Sequence, residues 1–313
     1  MSYIYSNIIG SFILGDDFRI VTKQLFKTVK NYQDREKAEK TLLKKYPKSK
    51  TVPKEKIAAI LELFKDSEYY SKFYQNNILL TKQLVRNSVN TDNLILQTIS
   101  NIDDLDKTTN ILVKRLRSWY SLTFPELEKN LNNHEKFAEL VATKSRKELL
   151  KELKLKDEDI MGAELEKVDL EEIKLLATNV HQLYILRDKH EEYLKTLMEE
   201  HCPNLLEIAG VTIGAKLFEH AKSLRRLALL PSSTIQLLGA EKALFRHIKT
   251  GAKSPKYGVL FTHPLVQKAR PKQKGMIART LASKISIAVR VDFFRGKPIG
   301  KKLREELESR FGR

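Results

Sequence analysis

The chain opens on an apolar, β-branched stretch, Tyr3–Leu14, followed by the turn signal Gly15-Asp16-Asp17 and by Phe18–Thr22, which returns as a second strand. The period then changes. Lys23–Tyr46 and Pro53–Phe64 read as helices, with Pro53 suited to a first turn. Asn77–Ser100 is mixed and fits no single element. From about Asp103 to Cys202 apolar residues recur at spacings of three and four. Leu105, Leu112, Leu116 and Trp119 fit one stripe, and Leu127, Leu131, His134, Ala138 and Val141 a second. The third holds Ile173, Leu176, Val180, Leu183, Arg187, His190, Leu194 and Leu197, about 25 residues or roughly 37 Å of helix. Arg187 and His190 interrupt it, and polar breaks of this kind set register or oligomeric state. Narrow seams joined through Lys154–Val168, with dense charge on the other faces, predict a helical hairpin or coiled coil that self-associates through Ile173, Leu176, Val180, Leu183, Leu194 and Leu197. The alternative is an ordinary helical bundle.

The last third differs in composition, with nine of the twelve glycines. Pro203–Leu230 reads as helix and Pro231 ends it. Ser233-Thr234-Ile235-Gln236 looks like a capping box for a helix reaching about Lys249. Thr250–Gly258 reads as a loop, Tyr257–Thr262 as irregular or extended, and Lys274–Val291 and Gly300–Phe311 as helices. The fold class is therefore mainly α with an N-terminal α/β segment. At 313 residues, 42% hydrophobic and 31% charged, the chain is expected to form two or three cored domains. No apolar run is long enough for a bilayer, and Met1–Leu14 lacks a basic n-region and a cleavage motif. Cys202 stands alone, which excludes an intramolecular disulfide and a multi-cysteine metal site. The expectation is a soluble, cytoplasmic protein without a membrane partner.

Charge sharpens this picture. The formal net charge is +18, and it is uneven: Met1–Cys202 holds 34 basic and 32 acidic residues, whereas Pro203–Arg313 holds 23 and 7. Ala240–Arg290 has 12 basic residues and one acid, Glu241. A module so biased points to a polyanion, and to nucleic acid first. On a helical wheel over Ser233–Lys249, Leu237, Leu244 and Ile248, widened by Leu238 and Phe245, form a packing face. Lys242, Arg246 and Lys249 fall within about 60° on another side. Lys253, Lys256 and Tyr257 follow in the loop, then Lys268, Arg270, Lys272, Lys274, Arg279 and Lys284, all suited to phosphate contacts. Glu241 sits inside the apolar arc, either paired with a nearby Lys or Arg or aimed at a protein partner. A second basic run, Lys37, Lys40, Lys44, Lys45, Lys48 and Lys50, reads as a solvated helix face and turn.

No catalytic constellation is found. Gly251-Ala252-Lys253-Ser254 superficially looks like a phosphate loop, but Ala252 stands where the second glycine is required. G-x-S-x-G, H-E-x-x-H and G-x-G-x-x-G are absent, and the seven histidines lack metal-ligand spacing.

Gly239-Ala240-Glu241-Lys242-Ala243-Leu244-Phe245-Arg246, followed by Ser254-Pro255-Lys256-Tyr257-Gly258, resembles the signature of the Nop domain. Arg115-Leu116-Arg117-Ser118-Trp119-Tyr120 with Phe124-Pro125-Glu126-Leu127 is similar to a second motif of that family, and Gly296–Phe311 to its C-terminal helix. The motifs occur in the family order over Asp103 to Arg313. In its compact length the chain looks most like the archaeal members that scaffold box C/D guide ribonucleoproteins. The resemblance implies a fibrillarin-docking α/β domain at 1–104, an antiparallel coiled coil making a homodimer at 105–202, and an all-α Nop domain at 203–313. The last binds guide RNA together with a small kink-turn-binding protein. It also implies that Glu241, Lys242, Arg246, Lys253, Lys256 and Tyr257 face that composite. No cofactor is expected on this chain, since methyl transfer and S-adenosylmethionine belong to fibrillarin. No motif in Met1–Ser100 supports the docking role. Two other readings stay open: a splicing-type relative without fibrillarin, and a basic RNA-processing enzyme with an unrecognised site.

Overall fold

Tyr3–Leu14 folds as two strands rather than one. In the computed structural model, which describes residues 2–65, 67–153 and 161–311, β1 (Tyr3–Ser6) and β2 (Gly10–Leu14) pair as an antiparallel hairpin. Asn7 makes the turn: its Oδ1 accepts from the Ile9 N–H at 2.9 Å and the Gly10 N–H at 3.3 Å, the side-chain-to-backbone bonding that favours Asn in turns. Gly10 has no room for a Cβ, which would overlap the Gln24 carbonyl. β3 (Ile20–Leu25) pairs with β2, with Phe12 opposite Lys23 and Gly10 opposite Leu25. Lys23–Leu25 are therefore strand, not the start of a helix, because the ladder with β2 captures them. The helices begin later, at α1 (Val29–Gln33) and α2 (Arg35–Lys45). β4 (Lys50–Thr51) adds parallel to β1, giving the order β3-β2-β1-β4.

Both faces of this sheet are covered. Ile4 and Ile13 meet Leu42 of α2 on one side. Tyr3, Phe12 and Leu14 meet Ile60, Phe64 and Tyr69 on the other, from α3 (Ile57–Glu62), the turn after it and α4 (Ser67–Ser88). Burial on both sides explains why every residue of β2 is inaccessible. These elements form one compact unit, residues 1–90, and residues 91–313 form another. Most of Asn77–Ser100 proves helical, split between α4 and the start of the next helix.

The second unit opens with α5 (Thr91–Tyr120), about 45 Å long, so position 104 lies inside a continuous helix. After α6 (Pro125–Asn130), α7 (His134–Thr143) and α8 (Arg146–Leu153) comes α9 (Lys167–His201), about 52 Å long. Residues 154–160 of the expected joint Lys154–Val168 lie outside the described residues. α5 and α9 run antiparallel. Ile95, Ile99 and Ile102 share a core with Leu194, Leu197 and Met198, while Val113 and Leu116 share one with Ile173, Ala177 and Val180. Polar pairs fix the register: Asp92 with His201 at 2.6 Å, Asn101 with His190 at 2.6 Å, and Asp106 with Arg187 at 2.9 Å. The two polar breaks in the third stripe thus set register within the chain.

The first stripe is displaced. Leu105 and Leu112 are half-buried and Trp119 is exposed, while Thr109, Val113, Leu116 and Tyr120 are buried. α7 and α9 both pack on α5 and turn its buried face toward Val113 and Tyr120. The second stripe is divided between α6 and α7, with Asn133 capping α7 by accepting from the Lys136 N–H at 3.0 Å. At this end Phe124 and Phe137 are fully buried, and burial pushes the Tyr120 hydroxyl pKa up to about 12. Arg117 is buried beside them. Its Nη2 donates to the Glu128 carbonyl at 2.9 Å and the Leu131 carbonyl at 2.7 Å, and its guanidinium lies 4.6 Å from the Phe137 ring centre. Arg117→Ala is expected to cost about 3 kcal/mol, because two carbonyls at the end of α6 lose their donor. A lowered urea midpoint with an unchanged m-value checks it.

The C-terminal elements are α10 (Pro203–Ala209), α11 (Val211–Ala221), α12 (Leu224–Leu229), α13 (Ser232–Leu237), α14 (Glu241–Thr250), α15 (Pro264–Gln267), α16 (Lys274–Phe293) and α17 (Gly300–Phe311). α16 is the central helix of this core. It contributes Ile277, Ala278, Leu281, Ala282, Ile285, Ala288 and Val289, all buried, to a cluster shared with α10, α12 and α13. Asp292 near its end accepts from the Asn204 N–H at 3.1 Å, Asn204 Nδ2 at 2.7 Å and the Leu205 N–H at 2.9 Å. Asn204 Oδ1 in turn accepts from the Ile299 and Gly300 N–H groups, each at 2.7 Å. One buried Asp-Asn pair therefore holds the starts of α10 and α17 to the end of α16. Cys202 is buried beside this clasp, where burial raises its thiol pKa well above the ordinary value. No helix among the described residues is long and apolar enough to cross a membrane.

Candidate nucleic-acid interface

The expected helix Ser233–Lys249 is two helices. The chain breaks at Gly239, whose φ of +85° suits a residue without a Cβ. The wheel drawn across both halves therefore fails. Leu237 and Leu238 belong to the first segment, and only Leu244 and His247 of α14 turn inward, both half-buried. Phe245 is 65% and Ile248 74% exposed. The basic side survives the correction: Lys242, Arg246 and Lys249 are all exposed within about 60° on α14. An exposed apolar strip, Phe245 and Ile248, runs beside it.

Ser233 caps nothing. The residue before α13 is Pro231, and no side chain caps that helix. Gln236, expected to complete a capping box, instead donates its Nε2 to the Lys256 carbonyl at 2.5 Å. Gly258 N–H donates to the Gln236 carbonyl at 3.0 Å and Val259 N–H to that of Leu238 at 2.7 Å. A Cβ at Gly258 would overlap the Leu238 carbonyl. His247 Nδ1 bonds the Ala252 carbonyl. The Thr250–Gly258 loop is thus tied down at both ends, with Lys253 and Lys256 exposed along it.

Glu241 begins α14 and is exposed, and the expected pairing with a Lys or Arg is not made among the described residues. Its Oε1 accepts from the Gly239 N–H at 2.8 Å and lies 3.4 Å from His220 Nδ1. Its partners are thus a backbone amide and a histidine rather than a Lys or Arg. Partial burial pushes its pKa up, but the amide bonds and His220 outweigh this and hold it below the usual carboxylate range. Glu241 therefore helps to pin the turn that aims α14.

The loop joins the start of α16. The Lys256 side chain passes close to Gly275. Tyr257 stacks on Phe261, with ring centres 4.9 Å apart and planes 15° apart, and Lys274 Nζ lies 4.9 Å from the Phe261 ring centre. Lys256, Tyr257, Phe261 and Lys274 are therefore neighbours. Arg270 and Lys272 are exposed immediately before α16, and Arg279 is exposed on it. Among the described residues no ion pair involves Lys242, Arg246, Lys249, Lys253, Lys256, Arg270, Lys272 or Arg279, so their charge is uncompensated.

Two expected residues lie elsewhere. Lys284 faces α17 and pairs with Glu306, because it lies about 140° around α16 from Arg279. Lys268 lines a separate cleft of about 660 Å³ with Glu207, His263 and Arg304. In α9, Ile173, Val180, Leu194 and Leu197 are buried within the chain itself, and Leu176 is half-buried in the same packing. Leu183 lines a surface hollow with Gln182, Leu186 and Lys189. Sequence reasoning missed Gln236, His247 and Phe261. Gly239 was the available signal, since an isolated glycine inside a helical pattern marks a possible break. Among the described residues no group of three His, Cys, Asp or Glu is arranged to hold a metal.

Comparison with known proteins agrees with the motifs. The profile of the Nop family, described as "snoRNA binding domain, fibrillarin", matches residues 101–313. An uncharacterized NOP5 family protein of Methanocaldococcus jannaschii is 40% identical over 258 residues, 78% of this chain and 62% of that protein. Nucleolar protein 56 of Caenorhabditis elegans is 39% identical over 243 residues, 70% of this chain and 50% of that protein. The chain thus spans between half and two thirds of these relatives. A chain in the crystal structure of a fibrillarin/Nop5p complex is similar over 99% of this chain and 98% of that one, at 22% identity and a TM-score of 0.46. The motifs at Arg115–Leu127 and Gly239–Gly258 and the match over two thirds of the chain make this protein a member of the Nop family.

Proposed function

We propose that this protein is a non-catalytic scaffold of a box C/D-type ribonucleoprotein. The observation that carries the reading is the uncompensated cationic surface of α14, the pinned loop and the start of α16. Such a surface suits phosphates, and the family description names snoRNA binding. The exposed Phe245 and Ile248 beside it give a protein-binding strip, which favours RNA presented with a small kink-turn-binding protein. The α/β unit, which precedes the matched residues 101–313, is assigned to fibrillarin from the domain order that the motifs imply. The side of α9 around Leu183, a seam residue that lines a surface hollow with Leu186, is assigned to a homodimer contact. The scaffold acts by position: it raises the effective concentration of the partner's active site near the guide–target duplex. The S-adenosylmethionine then belongs to fibrillarin.

Reconstitution tests this. The chain is added to kink-turn RNA, with and without the small protein, and then to fibrillarin. A ternary species that forms only with the small protein supports the reading, and none at low salt overturns it. The double change Lys242→Ala with Arg246→Ala is expected to weaken assembly at least about tenfold, since charge-assisted contacts contribute roughly 1.5–3 kcal/mol each. Fibrillarin capture is expected to be unchanged. Equal loss of both would sink the separation of sites.

A further inference from the structure

The lysine run around α2 reads from sequence as a solvated face, and the fold changes that reading. Ala38 and Leu42 are buried in the first unit, Leu42 against Ile4 and Ile13 of the sheet, which fixes the rotation of α2. Lys37, Lys40 and Lys44 then fall within about 60° of one another on the opposite, exposed side. Lys48 is exposed just past the helix end, with Lys45 and Lys50 flanking. Arg19–Lys50 contains eleven basic residues and three acids. One of those acids, Asp34, lies 3.5 Å from Lys37 at the surface. Among the described residues no ion pair involves Lys40, Lys44, Lys45, Lys48 or Lys50. Like charges three and four residues apart on a helix repel one another, and a bound polyanion relieves that.

We propose that α2 and the residues after it form a second RNA-backbone surface, with Lys37, Lys40, Lys44 and Lys48 each taking a phosphate. This region lies outside the 101–313 match, so it is a site separate from the C-terminal interface. Lys37 to Lys44 spans about 10 Å of helix, and long lysine side chains along such a row reach neighbouring phosphates of a backbone. The row therefore matches a few successive phosphates of one strand. A cleft of about 290 Å³ adjoins it, and Gln24, Asn31 and Thr41 line it along with the Lys37–Asp34 pair. The amides of Gln24 and Asn31 and the hydroxyl of Thr41 suit ribose hydroxyls. RNA is favoured over a lipid surface because membrane-lying helices put apolar side chains into the interface. The exposed side of α2 has none, as its apolar residues Ala38, Leu42 and Leu43 all turn inward.

The test uses the full chain and a short RNA duplex without a kink-turn, titrated by anisotropy between about 50 and 200 mM salt. Changing Lys37, Lys40, Lys44 and Lys48 together to Gln is expected to lower the log–log salt slope by about 3 and affinity at least about tenfold. The same four positions changed to Arg should retain wild-type binding. An unchanged slope in the Gln variant overturns the proposal, as does an Arg variant as weak as the Gln one. Loss of binding to phosphatidylserine vesicles with duplex binding intact also overturns it. Assembly on kink-turn RNA through Lys242 and Arg246 should persist in the Gln variant, which separates failure here from failure of the C-terminal reading.

Discussion

Asp292→Ala is expected to lower stability of the helical unit by about 3 kcal/mol. Three donors at the start of α10 lose their common acceptor inside the core, and an unsatisfied buried donor costs roughly 1–3 kcal/mol. Coupling within the clasp keeps the total below a simple sum. For a unit of this size about 3 kcal/mol corresponds to roughly 6–12 °C in Tm, readable by calorimetry. The pH dependence has a definite sign. Burial raises the Asp292 carboxyl above its ordinary pKa, and the bonds from Leu205 and Asn204 oppose this only in part. The folded protein therefore binds this proton before the unfolded chain does. The stability contributed by that uptake is full below the unfolded pKa and is lost as pH rises through the folded pKa. The gap between wild type and Asp292→Ala should thus widen on acidification from neutral pH. A gap that narrowed would show that burial does not dominate at this carboxyl.

Gly258→Ala is expected to abolish assembly at the cationic surface while the helical content stays near wild type. The added Cβ would overlap the Leu238 carbonyl, and that carbonyl also accepts the Val259 N–H. Backbone on both sides leaves no flexible side chain to yield, so the loop must detach from α13. Lys253, Lys256 and Tyr257 then lose their fixed placement, and a surface that must be reordered on binding pays for it in conformational entropy. The loss should exceed about tenfold in gel shifts with kink-turn RNA and the small protein. Far-UV circular dichroism should change little, since the core around α16 does not include residue 258. Wild-type assembly by Gly258→Ala would refute the pinned loop as the presenting element.

The division between what the chain spells out and what folding adds follows from the range of each interaction. The strands at the N-terminus, the long α9 seam, the lone glutamate among twelve cations and the final helices were legible locally, because period, charge and turn residues are properties of neighbours in sequence. Every residue of the α9 seam is indeed buried or half-buried. What covers most of that seam was not legible, since α5 comes from about 80 residues away and packs on it within one chain. The same limit applies to Gln236, whose amide reaches 20 residues ahead to Lys256, and to Lys284, which meets Glu306 rather than solvent. Phe245 and Ile248 read as core because their spacing fits a stripe, and a break at Gly239 turned them out. Apolar period and charge distribution by themselves determined that this is a mainly helical protein with a cationic C-terminal third. Only tertiary packing decided which of those cations remain uncompensated, because pairing and burial depend on partners distant in sequence.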